Sequence, residues 1–354
     1  MSRNAAPFSL SCFSIAVAVL GMLGVARPAA AASYSFQTLT LPGAPVLDAS
    51  AALAVNDLGQ VLVQASNPTA DYDFVDVNDL YDMTSGRYIA LPDFPGSSPK
   101  STSPQSINNS GVIVGNFHPV GGEWEGYIET SSGFSTLPNG GARFALATGI
   151  NNRGTIVGAY GDGPILGFTL NTHSFSPVAF KGSKLYNNGI VGINDAGHII
   201  GLAGLQTEAD FNLSFLTLGT RLVSISVPGE KSTHVSGINN ADTLVGSASN
   251  DGYNTSHGFI YQSGKYTLFD VPGAIATFAY GINNLGVIVG SFVDGVTLAA
   301  NAFVATPTAS EPAPEISIDA PGIPEPSAWS LIIGGFFVLG GTLRRRTASR
   351  DLPL

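Results

Sequence analysis

Carboxylates between short apolar segments are the residues of this chain with the most evident chemistry. Glu123 and Glu125 share one linker, while Asp162, Asp251 and Asp294 stand in linkers of other units, and glycoside hydrolysis needs two such groups facing each other at about 5–9.5 Å. Gly121-Gly122-Glu123-Trp124-Glu125 places an indole between two acids. Trp124 there can stack on a sugar ring or pack at a strand edge. Asp71, Asp73 and Asp76 offer hard oxygen ligands for calcium, yet they lack the spacing and closing Glu of a helix–loop–helix site, so a solvated acidic loop is the competing reading. The five histidines (His118, His173, His198, His234, His257) are scattered and the single cysteine is Cys12. That pattern predicts no zinc site. Neither a Gly-x-Ser-x-Gly elbow nor a phosphate-binding glycine loop ending in Lys-Ser/Thr occurs, so no catalytic residue is assigned.

The elements that must hold these residues repeat. Six times an Ile-Asn or Val-Asn pair precedes a tight turn: Asn56 to Gly59, Asn108 to Gly111, Asn151 to Gly154, Asn194 to Gly197, Asn239 to Asp242 and Asn283 to Gly286. A recurrence every 43 to 52 residues with strand-like units marks a propeller-type array. Each turn leads into an apolar β-branched run, which reads as a hairpin with a buried second strand. The last turn position needs a left-handed residue, which Gly supplies in five copies and Asp242, a tolerated exception, in the fifth unit. The repeated Asn can bond its own backbone across the turn. A third strand with a recurring aromatic and a fourth ending in a Pro/Gly turn complete the unit.

Only five fourth strands follow their blades. The missing one matches residues 34–43, ahead of any first strand, so the expected fold is all-β: a six-bladed β-propeller of four-stranded blades, closed by swapping the N-terminal strand into the last blade.

Both ends of the chain read as processing signals. Residues 1–32 hold Arg3, an apolar stretch from Phe8 to Val25 and then Ala29 to Ala32, the pattern of a signal peptide. With Cys12 removed, an exported domain of residues 33–306 has no disulfide and rests on burial and strand pairing. Residues 307–323 are a Pro-rich stalk. Residues 324–354 combine Pro324-Glu325-Pro326, Trp329, an uncharged run from Ser330 to Leu343 and Arg344-Arg345-Arg346. That run is short for a permanent span of ~20 residues, and the arginines would stay cytoplasmic.

This tail resembles the PEP-CTERM sorting signal of Gram-negative bacteria. The resemblance implies recognition by an exosortase, only transient membrane contact through a short transmembrane helix, and release to the cell surface or an extracellular polysaccharide matrix. The repeat resembles the extracellular HAF family, through Gly192-Ile193-Asn194-Asp195-Ala196-Gly197 and, in part, His257-Gly258-Phe259 and Asn301-Ala302-Phe303. That likeness implies location and repeat fold, and it transfers no catalytic residue.

Charge narrows the partners. Six of the 15 basic residues (Arg3, Arg27, Arg344 to Arg346, Arg350) and five of the 25 acids (Glu311, Glu315, Asp319, Glu325, Asp351) lie in the ends, so residues 33–306 keep nine basic and 20 acidic residues, a formal charge of −11. Such a ring repels nucleic acid and anionic membrane surfaces. The expectation is an exported binding or structural protein associated with exopolysaccharide or biofilm, without an obligate cofactor. The alternatives are a glycoside hydrolase or lyase using the loop carboxylates at the propeller mouth, and a protein-interaction scaffold.

Overall fold

The computed structural model describes residues 34–42, 49–68, 74–162, 165–171, 174–178, 185–205, 213–219, 221–251 and 255–308. All of them belong to one compact unit ending at Thr308. The signal peptide, the stalk beyond Thr308, the sorting signal, Asp71, Asp73 and His173 lie outside the described residues.

The described chain is all strand and turn. Strand β1 (Tyr34–Leu39) comes first, followed by blade 1 with β2 (Ala49–Val55), β3 (Gln60–Pro68), β4 (Phe74–Asp82) and β5 (Arg87–Ala90). Blade 2 holds β6 (Ser97–Ile107), β7 (Ile113–Pro119), β8 (Glu125–Thr130) and β9 (Gly133–Thr136). Blade 3 holds β10 (Phe144–Ile150), β11 (Ile156–Gly161), β12 (Leu166–Asn171) and β13 (Ser174–Pro177). Blade 4 holds β14 (Leu185–Ile193), β15 (Ile199–Leu205), β16 (Leu213–Leu218) and β17 (Arg221–Ile225). Blade 5 holds β18 (Ser232–Ile238), β19 (Leu244–Ser249), β20 (Ser256–Gln262) and β21 (Lys265–Phe269). Blade 6 has β22 (Ala274–Ile282), β23 (Ile288–Asp294) and β24 (Ala300–Pro307), and β1 supplies its fourth strand.

The swapped closure is therefore present: β1 pairs antiparallel with β24 from Tyr34↔Pro307 to Leu39↔Ala302. Pro307, assigned to the stalk from sequence, is the last residue of β24. Phe36 of β1 lies 6.0 Å from Phe303 of its own blade and 6.2 Å from Phe269 of blade 5, so the closing strand is held by packing as well as pairing. A closed ring leaves only short outer edges exposed.

Each inner hairpin forms because its last turn residue accepts positive φ. The five glycines have φ between 74° and 83°, and Asp242 has φ 56°. A second glycine serves packing instead. Gly115, Gly158, Gly201, Gly246 and Gly290 in the second strands pair with Tyr127, Phe168, Phe215, Phe259 and Phe303 in the third. A Cβ at Gly158 would stand 1.9 Å from Leu146 O and 2.9 Å from Phe168 Cε1. The missing side chain is what lets the ring lie flat against its neighbour strand. All five aromatics are fully buried, each contributing about 1.5–3 kcal/mol.

Blade 1 departs from this pattern. Its equivalent pair is Val63↔Asp79, and the aromatic expected there is Tyr81, displaced two residues and packed on Tyr88 at 4.8 Å. The acidic stretch 71–79 is also not a continuous loop, because β4 begins at Phe74 and Asn78 and Asp79 are buried. The extra length of the first repeat goes into the nine-residue β3 and β4 strands and the eleven-residue β6.

Two substitutions separate the two uses of glycine. Gly154 has nothing within 4 Å of a built Cβ, so Gly154→Ala should lower stability by only about 1 kcal/mol, from its φ. Gly158→Ala should cost about 3 kcal/mol or more, because backbone and Phe168 must both move. Urea midpoints of equal depression would refute the packing role.

Candidate functional site

The inner strands line a central channel, and the turns that end them close it. The lining is the same segment of each blade, from Leu53–Asp57 round to Tyr280–Asn284, around a cavity of about 120 Å³. Small-molecule sites start at ~300 Å³, so the channel is too small for a sugar ring. A β-bulge recurs in every inner strand, just before Ala54, Ser106, Gly149, Gly192, Gly237 and Gly281. Small residues are needed after it because neighbouring backbones meet there. A Cβ on Gly237 would lie 3.1 Å from Gly281 Cα.

The repeated Asn does two jobs. Its Oδ1 accepts two N–H groups of its own turn, as when Leu58 and Gln60 donate to Asn56 at 3.1 and 3.0 Å. Its Nδ2 donates to the carbonyl of the corresponding Asn in the next blade. Asn56 donates to Asn108, Asn108 to Asn151, Asn151 to Asn194, Asn194 to Asn239, Asn239 to Asn283 and Asn283 back to Asn56, all at 3.0–3.2 Å. The six bonds form a closed circle, and all six side chains are buried.

A second circle lies beside the first. The backbone N–H of Asp57 donates to Asn109 Oδ1, Asn109 to Asn152, Asn152 to Asp195, Asp195 to Asn240, Asn240 to Asn284 and Asn284 to Asp57, at 2.8–2.9 Å. Asp57 and Asp195, three blades apart, each take two further amide donors on Oδ2. Asn109 and Asn284 serve Asp57 at 2.7 and 2.8 Å, and Asn152 and Asn240 serve Asp195 at 3.0 and 2.6 Å. Burial raises the Asp195 carboxyl, and the Asn152 and Asn240 donors outweigh it, leaving the group below the usual carboxylate range. A separate link joins blades 4 and 5, where Asp242 Oδ1 accepts from Asn194 Nδ2 and meets His198 Nδ1, both at 2.7 Å. Asp242 is thus more than a tolerated turn residue.

The opposite face is built from the second-to-third strand loops and the connections between blades. Two of the loop carboxylates are spent on their own loops. Asp251 accepts from Ser249 Oγ and from the N–H and Oγ1 of Thr255, and Asp294 accepts from Val296 N, Thr297 N and Thr297 Oγ1. In Asp251 burial pushes upward and those donors prevail; in Asp294 the Thr297 donors dominate. Both carboxyls end below the ordinary range. A general acid needs the reverse.

Glu123, Trp124, Glu125 and Asp162 gather where blades 2 and 3 meet. Gly122 N–H donates to Pro119 O at 3.1 Å and closes one turn, and Ala142 N–H to Asn139 O at 3.1 Å closes the facing one. Across this seam the Arg143 guanidinium pairs with Glu123, and the Arg143 N–H donates to Asp162. The half-buried Trp124 meets His118 with ring centroids 5.5 Å apart and planes at 65°. Beneath, Asn116 clamps Ala147 of blade 3 through both its amide atoms, at 3.1 and 2.9 Å. His257 of blade 5 holds Asp270 through Nδ1 at 2.9 Å. Of the calcium candidates, Asp76 falls within β4 opposite Ser66. Among the described residues no three His, Cys, Asp or Glu are placed to share a metal ion.

The architecture is that of a six-bladed β-propeller, and comparison with known proteins adds only likeness of fold. No protein-family model matches the chain, and no curated protein does. Virginiamycin B lyase from Staphylococcus aureus with quinupristin is 12% identical over 77% of this chain and 99% of that one, with a TM-score of 0.42. The SapL1 lectin in complex with alpha methyl fucoside is 11% identical over 76% and 98%, with a TM-score of 0.46. The propeller domain of the Trilobed protease from Pyrococcus furiosus, described as having an open velcro topology, is 9% identical over 76% and 100%, with a TM-score of 0.45.

Asp195→Asn is nearly isosteric, yet its new amide would face two amide donors. It should lower stability at pH 7 by about 1–3 kcal/mol. The wild-type carboxylate, its folded pKa depressed, contributes above the unfolded value near 3.9 and loses that contribution as pH falls through the folded value. The gap between the two proteins should therefore narrow below about pH 4. Thermal melts with a pH-independent gap would refute the ring's dependence on that charge.

Proposed function

We propose that this chain is exported and sorted by an exosortase, and then acts at the cell surface or in the extracellular matrix as a propeller that binds polysaccharide. The observation that carries the reading is the unequal use of its two faces. On the hairpin face the polar side chains of the ring are consumed in joining blades. The chain also enters and leaves there, since Tyr34 is the partner of Pro307 and Pro307 lies against the Gly286 turn. The loop face carries the aromatic and polar groups that the fold leaves uncommitted.

Binding is preferred over catalysis because Asp251 and Asp294, two of the five loop carboxylates, are held ionised by their own loops, whereas a glycosidase acid must stay protonated. The sorting reading rests on Pro324-Glu325-Pro326, the apolar run and the three arginines in that order.

Residues 33–308, which contain the whole ring, should bind the host's own exopolysaccharide saturably without releasing new reducing ends. Reducing ends would put the hydrolase or lyase reading first. Absence of binding would remove the polysaccharide reading altogether.

A further inference from the structure

We propose that the seam between blades 2 and 3 on the loop face is a carbohydrate subsite, with Trp124 as its platform, for neutral pyranose units inside a polysaccharide chain. This deepens the polysaccharide reading and rests on it.

The polar groups around Trp124 differ from those elsewhere on the face. Asp251 and Asp294 are saturated by their own loops, whereas at this seam the donors and acceptors are left over. Among the described residues nothing accepts from the Trp124 indole N–H, and no hydrogen bond engages the His118 ring nitrogens, although that ring steadies the indole edge-on. Arg143 gives one Nη2 contact to Glu123 and keeps its other guanidinium N–H groups for a ligand. Glu123 likewise keeps Oε2. An indole beside fixed donors and acceptors is what a sugar ring needs, with an apolar C–H face to stack and equatorial hydroxyls to bond.

The support is defined by backbone hydrogen bonds. Gly122 N–H donates to Pro119 O, Ala142 N–H to Asn139 O, and Asp162 accepts from the Arg143 N–H. The Asn116 clamp holds the two blades together directly below. Ligand therefore meets a preorganised surface, which limits the ordering cost of binding.

Charge selects among sugars. Glu123 pairs with the Arg143 guanidinium, Glu125 and Asp162 add two further carboxylates at the seam, and the ring as a whole is net negative. A uronate or sulfated unit would be repelled. Shape selects the mode: Trp124 lies outside the lining of the narrow channel, on the loop that leads into β8, where an extended chain can cross it. Neutral internal residues fit both conditions, and binding should not need calcium.

Trp124 is the only tryptophan between residues 33 and 308, so indole emission reports this subsite alone. Residues 33–308 would be titrated with a soluble β-glucan, a galactomannan and polygalacturonate, with and without EDTA, and the host exopolysaccharide run alongside. The expected result is an emission shift with at least one neutral polymer, unchanged by EDTA and absent with polygalacturonate. Trp124→Ala, with an unaltered melting temperature, should weaken that binding at least tenfold, and Trp124→Tyr should restore part of it. Arg143→Met should weaken it severalfold.

Polygalacturonate binding as tight as that of the neutral polymers would overturn the neutral class, and so would the failure of both neutral polymers to shift the emission. Host polysaccharide that binds wild type and Trp124→Ala equally would overturn this subsite and leave the polysaccharide reading in place. No binding of any polymer would overturn both.

Discussion

The ring depends on one buried amide used twice in each blade. An Asn at the end of an inner strand has one oxygen and one NH2 group, and its position leaves it without water, so both must find protein partners. The oxygen is satisfied by its own turn and the NH2 by the next blade's carbonyl. Local turn and global closure therefore share a residue. A hairpin in the wrong geometry would misplace the donor that reaches the next blade, and a missing neighbour would strand a buried donor at a cost of about 1–3 kcal/mol. With no disulfide available, this coupling makes six separate sheets cooperative.

The neighbouring position obeys a subtler constraint. Four Asn and two Asp occupy it in the order Asp57, Asn109, Asn152, Asp195, Asn240, Asn284. Six Asn would leave four of the NH2 groups without the carboxylate oxygens that now receive them. Six Asp would crowd like charges into a small circle. Two carboxylates at opposite points serve all four amides with the fewest charges and the greatest separation. The result is a pseudo-twofold arrangement within a sixfold frame, with each Asp bonded by the side chains of both its neighbours.

The fold was legible because its signals are local. A tight turn declares itself within five residues, and the surplus N-terminal strand is implied by counting fourth strands against third strands. What escaped the sequence is what lies across blades. The partner of Asn56 Nδ2 is a carbonyl 52 residues away, although the unbroken Asn/Asp choice at the following position was visible and was a usable signal. In blade 1 the aromatic was read at Tyr81 because a buried Asp79 is not expected where five other blades hold a ring. The acidic run before it has the composition of a loop, yet residues 74–79 pair along β3 as part of β4. Trp124 was visible as an indole between two acids. Arg143, the partner of the adjacent Glu123, is brought there only by the packing of blade 3 against blade 2.

Closure and recognition are separated for a physical reason. The hairpin face repeats Asn, Asn/Asp, any residue, then Gly (Asp242 in one copy) because each turn must fit the same two circles, so variation there is penalised six times over. The loop face carries no such shared constraint. Its second-to-third strand loops differ in length and sequence, and the carboxylates of two of them accept from backbone and hydroxyl groups of their own loops. Nor is the seam between the last blade and blade 1 a weaker version of the others: it lacks the flat aromatic, but the two circles continue unbroken through Asn283, Asn284, Asn56 and Asp57 while β1 ties the outer edge. A ring closed this firmly by its inner turns can accept an aromatic and an ion pair on a loop between two blades without loss of shape. The stability that holds such a surface in shape comes from the far face.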